Sequence, residues 1–333
     1  ALAAGETLSP EMVAAAGEEG ALPAPIAWAC LLSIILGLSG AIFLGAPVSL
    51  VSRLPMDKSP EVLADRARDI VRKLGHDAPA RDSAYSFDVE SAYSRYVQEH
   101  DRSPRRWDAL STGRVPTLYF WYRQSPDLLV PGESLSVVRP NDPPRTLPGM
   151  ATVRLDTRGR LTGFDAVPAA EVAPTDATGQ APDWSVLFSE ADLPMTEFHP
   201  TPPTRLPPVF CDHRMAWEGS IPEMPGVPVH IEAGAYGGRI VNFAISGPWT
   251  PASAIQASSK TIGEIFESNL QIALLIAATV AGIVLARRNL RLGRGDRSGA
   301  LKIAVYFVAI HILVWALWVH HVPDLAYEWQ IFS

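Results

Sequence analysis

Three consecutive residues of this sequence, Cys211, Asp212 and His213, offer a thiol, a carboxylate and an imidazole side by side. Together they could act in nucleophilic catalysis or in metal binding. However, adjacent side chains of an extended chain point to opposite faces, so the three cannot easily share one ligand. We therefore interpret the triplet as an ordinary loop or the start of a strand.

His311 is the second residue with chemical potential, because it lies in the middle of an apolar segment. An ionisable residue inside a membrane span usually faces protein or water and has a partner. The segment 308–321, VAIHILVWALWVHH, resembles antenna-type pigment-binding helices in having His followed by Trp, although Phe307 stands where those helices have a small residue. His311 is thus a candidate pigment or haem ligand, with an interhelical hydrogen bond as the alternative. No other cofactor is expected, apart from contacts with lipid.

The sequence lacks the motifs by which common catalytic sites are recognised. It contains no Walker A loop, no H-E-x-x-H, no G-x-S-x-G and no pair of Cys-x-x-Cys motifs. Its two cysteines are Cys30, which lies in an apolar segment, and Cys211 in the polar part, so we expect no intrachain disulfide. We predict that the chain is not an enzyme and holds no metal.

The composition is typical of a membrane-anchored protein with a large water-exposed part. Of the 333 residues, 47% are hydrophobic and only 19% are charged, and the mean hydropathy is +0.10. The net charge of −7 argues against a nucleic-acid-binding surface. Most of the 30 prolines lie between Pro55 and Pro251, so a continuous helical bundle cannot run through that part.

Three apolar segments, at 26–46, 268–286 and 303–319, are predicted to be transmembrane helices. The first carries no charge and would reach about 30 Å as a helix, the thickness of the hydrocarbon core. A signal peptide is the alternative for this segment. Residues 1–25 contain several glutamates and no Lys or Arg, whereas a signal peptide begins with a basic region.

The orientation follows from the connection 287–302, which is strongly basic. Short loops rich in Lys and Arg stay in the cytoplasm. Residues 1–25 are then a cytoplasmic juxtamembrane segment, 55–265 an extracytoplasmic domain and 320–333 an extracytoplasmic tail. We expect the bacterial inner membrane, with the main domain in the periplasm. Attraction to anionic lipid or to an acidic partner is the alternative role for the basic residues, of which we single out Arg287, Arg288, Arg291 and Arg294.

The end of the third segment is rich in residues that favour a membrane interface. Trp315 and Trp318 are followed by His320 and His321. Tryptophan is enriched where the bilayer meets water, because its ring is apolar and its N–H is polar. We interpret Trp315 and Trp318 as anchors or partner contacts at the outer surface.

Residues 55–265 are predicted to form an α+β domain with an antiparallel sheet, attached to about three transmembrane helices. Helical spacing of apolar residues predicts helices over 59–75 and 89–100, and a shorter one including Trp107. Alternation predicts a strand over 117–123 and two hairpins that close in Gly-containing turns, over 150–167 and 227–246. The two hairpins suggest an internal duplication, with Trp107 and Trp121 in one half and Trp184 and Trp217 in the other.

Several segments resemble the region around and beyond the membrane span of multi-domain bacterial serine/threonine protein kinases. They are ALAAGETLSPEMVAAAGEEGAL, VLADRARDIVRKLG, DSAYSFD, HDRSPRRWDAL, FWYRQSP, NDPPRTLPGM, PGMATVRLDTRGRLTGFDAVP, ISGPWT and LARRNLRLGRGDRSGALKIAV. The resemblance implies a cytoplasmic start, an external domain and basic loops between spans. The catalytic kinase domain of that family lies upstream, and this chain has no H-R-D, no D-F-G and no Gly-rich loop. The resemblance therefore covers the non-catalytic C-terminal region alone.

These observations predict a non-catalytic accessory subunit that docks a periplasmic domain onto a larger bacterial membrane complex, such as a photosynthetic reaction centre with its antenna or a respiratory assembly. Its partners would be membrane lipids and other subunits, not nucleic acid. The alternative is a periplasmic sensor, the ligand-binding module of a transmembrane serine/threonine kinase whose catalytic domain is absent from this chain.

Overall fold

A computed structural model describes residues 24–45, 50–132, 137–168, 182–224, 226–251, 262–291 and 297–321, with residues 323, 325 and 328. The chain divides into two compact units, Ala1–Arg53 and Leu54–Ser333. The described part of the first unit is an apolar helix, α1 (Ala24–Gly45), followed by a 3₁₀ turn at Leu50–Arg53.

The second unit contains eight strands and five α-helices in its described part. The helices are α2 (Pro60–Lys73), α3 (Ser91–His100), α4 (Ser185–Glu190), α5 (Ile262–Arg291) and α6 (Arg297–Trp318). The strands are β1 (Asp82–Val89), β2 (Leu118–Ser125), β3 (Ala151–Leu155), β4 (Leu161–Ala166), β5 (Phe198–Thr201), β6 (His213–Ser220), β7 (Pro228–Tyr236) and β8 (Arg239–Ser246). We call the described residues from 54 to 251 the sheet domain.

The sheet is antiparallel throughout, and its strand order has a twofold pattern. The order is β1-β2-β3-β4-β8-β7-β6-β5, so the last strands of two consecutive meanders pair at the centre. Helix α2 precedes the first meander and α4 precedes the second. The predicted α+β class with an antiparallel sheet is confirmed. A helix precedes the four strands of each meander, but in the first meander helix α3 also stands between β1 and β2.

Helix α2 illustrates how local sequence produces an element of this fold. Pro60 stands in the first turn, where its missing N–H costs nothing, and Arg72 and Lys73 lie in the last turn, where cations favour the helix dipole. Its buried face packs on β1, β2 and β3 and consists of Leu63, Ala64, Ala67, Ile70 and Val71. The helix is therefore defined both by its ends and by the apolar stripe that the sheet covers.

The two faces of the sheet are covered in different ways. Helices α2 and α4 lie on one side, which we call the helix face; there Trp217 of β6 packs against Phe188 of α4 with ring centroids 5.2 Å apart. Loops cover the opposite side, which we call the loop face; there Trp121 of β2 packs with Leu129, Val138 and Met150. Trp121 and Trp217 thus lie on opposite faces of the sheet, although each stands in the second strand of its meander. The internal duplication stays a prediction.

The apolar helices differ from the three predicted spans. Only two segments of the described residues are long and apolar enough to cross a membrane, Asn269–Arg288 in α5 and Ser298–Leu317 in α6; the apolar stretch Pro25–Gly40 in α1 is shorter. By length and composition alone this weakly suggests membrane association. Both C-terminal helices extend into the predicted basic loop, since α5 continues to Arg291 and α6 begins at Arg297.

Candidate functional site

A polar cleft of about 590 Å³ opens where α2 ends against the first two strands. One wall is the exposed side of α2, another is the chain between α2 and β1, and the floor is formed by β1 and β2. The lining combines charged, amide, hydroxyl and imidazole groups, from Asp65, Arg68, Asp69, Arg72, His76, Asp77, Ser83, Tyr122 and Gln124. We refer to this feature as the α2 cleft.

The charges on the α2 wall are arranged as neighbouring pairs. Asp65 and Arg68 form an ion pair of 2.7 Å, and Asp69 pairs with Arg72 in the same i,i+3 relation. Exposed pairs of this kind contribute little to stability, about 0.3–0.5 kcal/mol each. They leave both signs of charge accessible along one wall, which is an arrangement suited to a small polar ligand that itself carries both charges.

The floor of the α2 cleft holds a buried phenol. Tyr122 donates a long hydrogen bond of 3.4 Å to Oε1 of Gln124. Burial is the largest influence on this group and raises the pKa of Tyr122 above its ordinary value, whereas Ser83 and Arg68 act in the opposite direction. The phenol is therefore protonated at neutral pH and serves as a hydrogen-bond donor.

His76 closes the inner end of the α2 cleft. Its Nε2 lies 2.6 Å from the carbonyl oxygen of Ile240, to which it donates, and its ring lies 5.4 Å from that of Phe164. Burial is the largest cause that lowers the pKa of His76, and the hydrogen bond to Ile240 only partly offsets it. The neutral imidazole thus connects the inner end of the α2 cleft to the central strand β8.

The pKa of His76 predicts a pH-dependent loss of stability. Because the folded-state pKa is lowered, the unfolded chain binds a proton at a pH where the folded chain does not, and stability falls as the pH drops below about 6.5. We expect the free energy of unfolding to decline between pH 7 and pH 5, by less than about 1.4 kcal/mol per pH unit. Denaturant titrations of the wild type and of His76→Gln, which can still donate to Ile240, measure the difference. Parallel pH profiles for the two proteins would contradict this assignment.

A buried carboxylate connects the two halves of the sheet domain beside the α2 cleft. Glu190, the last residue of α4, lies 2.7 Å from Nη2 of Arg66 and 2.7 Å from Nζ of Lys73, both on α2. An unpaired buried carboxylate would be costly, so these two cations are needed to keep Glu190 in place. The pairs bind α2 and α4 to each other and hold the wall of the cleft.

On the loop face, Glu232 of β7 holds the chain that follows β5. Its Oε1 accepts from the backbone N–H groups of Thr204 and Arg205 at 3.0 and 2.9 Å and lies 3.2 Å from Nε2 of His230. Burial acts to raise the pKa of this carboxyl, but the donors from Arg205, Thr204 and His230 outweigh it and lower the pKa overall. The chain over 202–211 is thereby fastened to the sheet.

Arg123 of β2 holds a second loop, the Pro-rich chain over 137–148, against the loop face of the sheet. It is almost fully buried on the loop face and donates to the carbonyl oxygens of Arg139 at 2.7 Å and Pro143 at 2.6 Å. Burial lowers its pKa to about 10, and the charge of Arg145 acts in the same direction. The guanidinium remains charged at neutral pH and binds the Pro-rich chain to the strand.

The Cys211–His213 triplet is not brought together as one site. The Cys211 thiol contacts Gly234 and lies 3.5 Å from the carbonyl of Val209, and burial raises its pKa to about 11. Asp212 accepts from the N–H of Gly237 at 2.8 Å, whereas His213 begins β6. Each residue has its own structural contact, in line with a loop that leads into a strand.

The residues predicted at the membrane lie on α5 and α6. His311 and Trp315 are within α6, and the Trp315 ring lies 5.1 Å from that of His321, just after the helix. The helix ends at Trp318, whose side chain lies outside the described part, as does Arg294. Three predicted basic residues are exposed at the end of α5, namely Arg287, Arg288 and Arg291. None of these positions contacts the α2 cleft in a described contact.

Within the described ranges, no group of three or more His, Cys, Asp and Glu residues is arranged to hold a metal ion. Comparison with known proteins adds no identity, because no protein-family model, curated protein or solved structure matches the chain. The kinase resemblance stays a prediction. The α2 cleft was not predicted from the sequence. The only signal for it in the sequence is the recurrence of Asp and Arg residues along α2.

Proposed function

We propose that the chain is a non-catalytic accessory subunit, anchored in a bacterial inner membrane by three spans, which docks its periplasmic sheet domain onto a larger membrane complex. A photosynthetic or respiratory assembly remains the candidate host. The proposal rests on one observation in the sheet domain, the outer edge of strand β1. Edge strands present free backbone groups and bind extended segments of other chains by adding them to the sheet.

The geometry of β1 supports such pairing. Its inner side pairs with β2 over its whole length, Asp82–Val89. Glu90 donates its N–H to Thr117 on the β2 side, so by the alternation of strands the N–H groups of Ser83, Tyr85, Phe87 and Val89 point outward. The first and last of these four N–H groups, those of Ser83 and Val89, already donate to the side chains of Asp82 and Asp88.

The docking surface is therefore confined to the centre of β1, at Tyr85 and Phe87. The Tyr85 side chain is exposed, with its ring 5.8 Å from that of Phe120 below it. A partner strand would receive two backbone hydrogen-bond donors there and cover apolar rings. The aspartates at either end limit the length of the added strand and discourage unspecific aggregation.

Copurification after mild detergent extraction tests this proposal. We expect the wild-type chain to elute with a multi-subunit complex, and Tyr85→Pro to reduce the recovered partner at least about tenfold, because proline removes an outward N–H. Tyr85→Thr, which keeps the N–H and a strand-forming side chain, is the matched control and should retain the partner. A monomeric wild-type chain would contradict the accessory role; a complex that survives Tyr85→Pro would contradict docking through β1 only.

A second candidate function, the sensor, is supported by the α2 cleft. Its paired charges and the protonated phenol of Tyr122 suit a small zwitterion better than an apolar ligand. In this case the sheet domain would bind an envelope metabolite and report through the membrane helices to a kinase. A wild-type chain that is monomeric and whose melting temperature rises with amino acids or short peptides would favour the sensor over the accessory subunit.

A further inference from the structure

The loop over 202–211 exposes two large apolar side chains. Leu206 is 89% exposed and Phe210 is 70% exposed, on a segment that also contains Pro207 and Pro208. Surface loops of soluble domains are mostly polar, and clustered exposed apolar residues mark a surface that is covered by something else. The sheet domain is thus expected to place this loop against an apolar phase or partner.

The loop is held on the loop face along its length. At its start, Thr204 and Arg205 donate backbone N–H groups to Glu232 of β7. At its end, Cys211 packs on Gly234 of the same strand. Leu206 and Phe210 therefore belong to a segment that is fixed at both ends. The Phe210 ring lies 5.4 Å from that of Tyr236 and stays largely exposed.

Both apolar helices of this unit are connected to the loop face. Before α5, the guanidinium of Arg205 donates to the carbonyl oxygens of Thr250 and Pro251, at 3.4 and 3.3 Å. After α6, His320 lies 2.9 Å from Oδ2 of Asp82, the same oxygen that accepts the N–H of Leu129 from the loop after β2. The last described residues ahead of α5 and the residues just after α6 thus both contact the loop-covered side of the sheet.

We propose that the loop face lies on the bilayer that α5 and α6 cross, with Leu206 and Phe210 inserted among the lipid headgroups and upper acyl chains. The proposal rests on the membrane anchoring proposed above. A bilayer fits better than a protein partner, because Thr250 and Pro251, ahead of α5, and His320, just after α6, all contact this face. Leucine and phenylalanine gain from leaving water for the interface. Two further exposed apolar residues, Val130 and Leu147, belong to the other loop of this face.

Depth-dependent fluorescence quenching tests the proposal on the full chain. The chain, with Cys30→Ser and Cys211→Ser, is reconstituted in phosphatidylcholine–phosphatidylglycerol vesicles and labelled with an environment-sensitive dye at Leu206→Cys or Phe210→Cys. Val62→Cys is the matched control, because Val62 is 51% exposed but lies on α2, across the sheet. We expect lipids spin-labelled near the headgroup to quench the first two labels at least twofold and to leave the Val62 label unchanged.

The outcomes separate this inference from the anchoring on which it rests. Equal, weak quenching at Leu206, Phe210 and Val62 in a chain that resists alkaline carbonate extraction would overturn the membrane contact and leave the anchoring intact. A chain released by carbonate would overturn both. Labels at Leu206 and Phe210 that are shielded from water but not quenched by lipid would mean that a protein covers the loop, and would also overturn the proposal.

Discussion

Replacing Trp217 by alanine is expected to lower the free energy of unfolding of the sheet domain by about 3–5 kcal/mol. The indole is buried on the helix face, where it packs against Phe188 and Trp184 with ring centroids 5.2 and 6.0 Å apart. Truncation leaves a cavity that the rigid sheet cannot fill. The variant therefore loses the free energy of burying the indole and, in addition, the packing contacts of the side chains that lined it. In thermal unfolding followed by near-UV circular dichroism, the melting temperature should fall by about 10 °C.

Trp184→Ala is the control for this prediction. Trp184 precedes α4 and is only half-buried, so its removal exposes less new surface and should cost clearly less. Equal losses for the two variants would mean that the helix face is not packed around Trp217. A small loss for Trp217→Ala would in addition argue against α4 as the cover of the second meander.

Replacing Arg123 by methionine is expected to destabilise the sheet domain by about 2–5 kcal/mol. Methionine has a similar length but cannot donate, so the carbonyl oxygens of Arg139 and Pro143 lose a buried partner. Each unsatisfied buried polar group costs about 1–3 kcal/mol. The loop over 137–148 should also detach from β2, which limited trypsin digestion measures as faster cleavage after Arg145.

Arg123→Lys separates the charge from the geometry in this prediction. Lysine keeps the positive charge but has no planar fork with which to reach two carbonyl oxygens at once. We expect an intermediate loss of stability and partial protection of the loop. If Arg123→Lys matched the wild type, charge alone would hold the loop; if Arg123→Met matched it, the buried arginine would have no anchoring role.

Local sequence patterns predicted the elements whose ends and periodicity are strong. Helix α2 follows from Pro60, a continuous apolar stripe and basic residues in its last turn. The two hairpins follow from alternation around Gly159 and around Gly237 and Gly238, which have positive φ angles that suit glycine. Strand β5 has four residues and no clean alternation, and for β6 only a possible strand start near His213 was predicted. Strand β1 was not predicted, although Tyr85, Phe87 and Val89 alternate with Ser86 and Asp88.

Hydropathy and charge located the apolar helices but did not predict where they end. Hydropathy identified the segments of α5 and α6, but it predicted a basic loop over 287–302 where α5 continues to Arg291 and α6 begins at Arg297. Arginine is a good helix former, so positive charge does not end a helix.

The sequence by itself determined which segments are apolar, which are helical and where the tight turns lie, because these depend on residues close together in the chain. Only the tertiary structure decided how the two meanders pair through β4 and β8 and which face each tryptophan occupies. The α2 cleft and the exposed loop around Leu206 also depend on it. These features arise from contacts between residues far apart in the chain, such as Arg66 with Glu190 and Asp82 with His320, and no local pattern records such contacts.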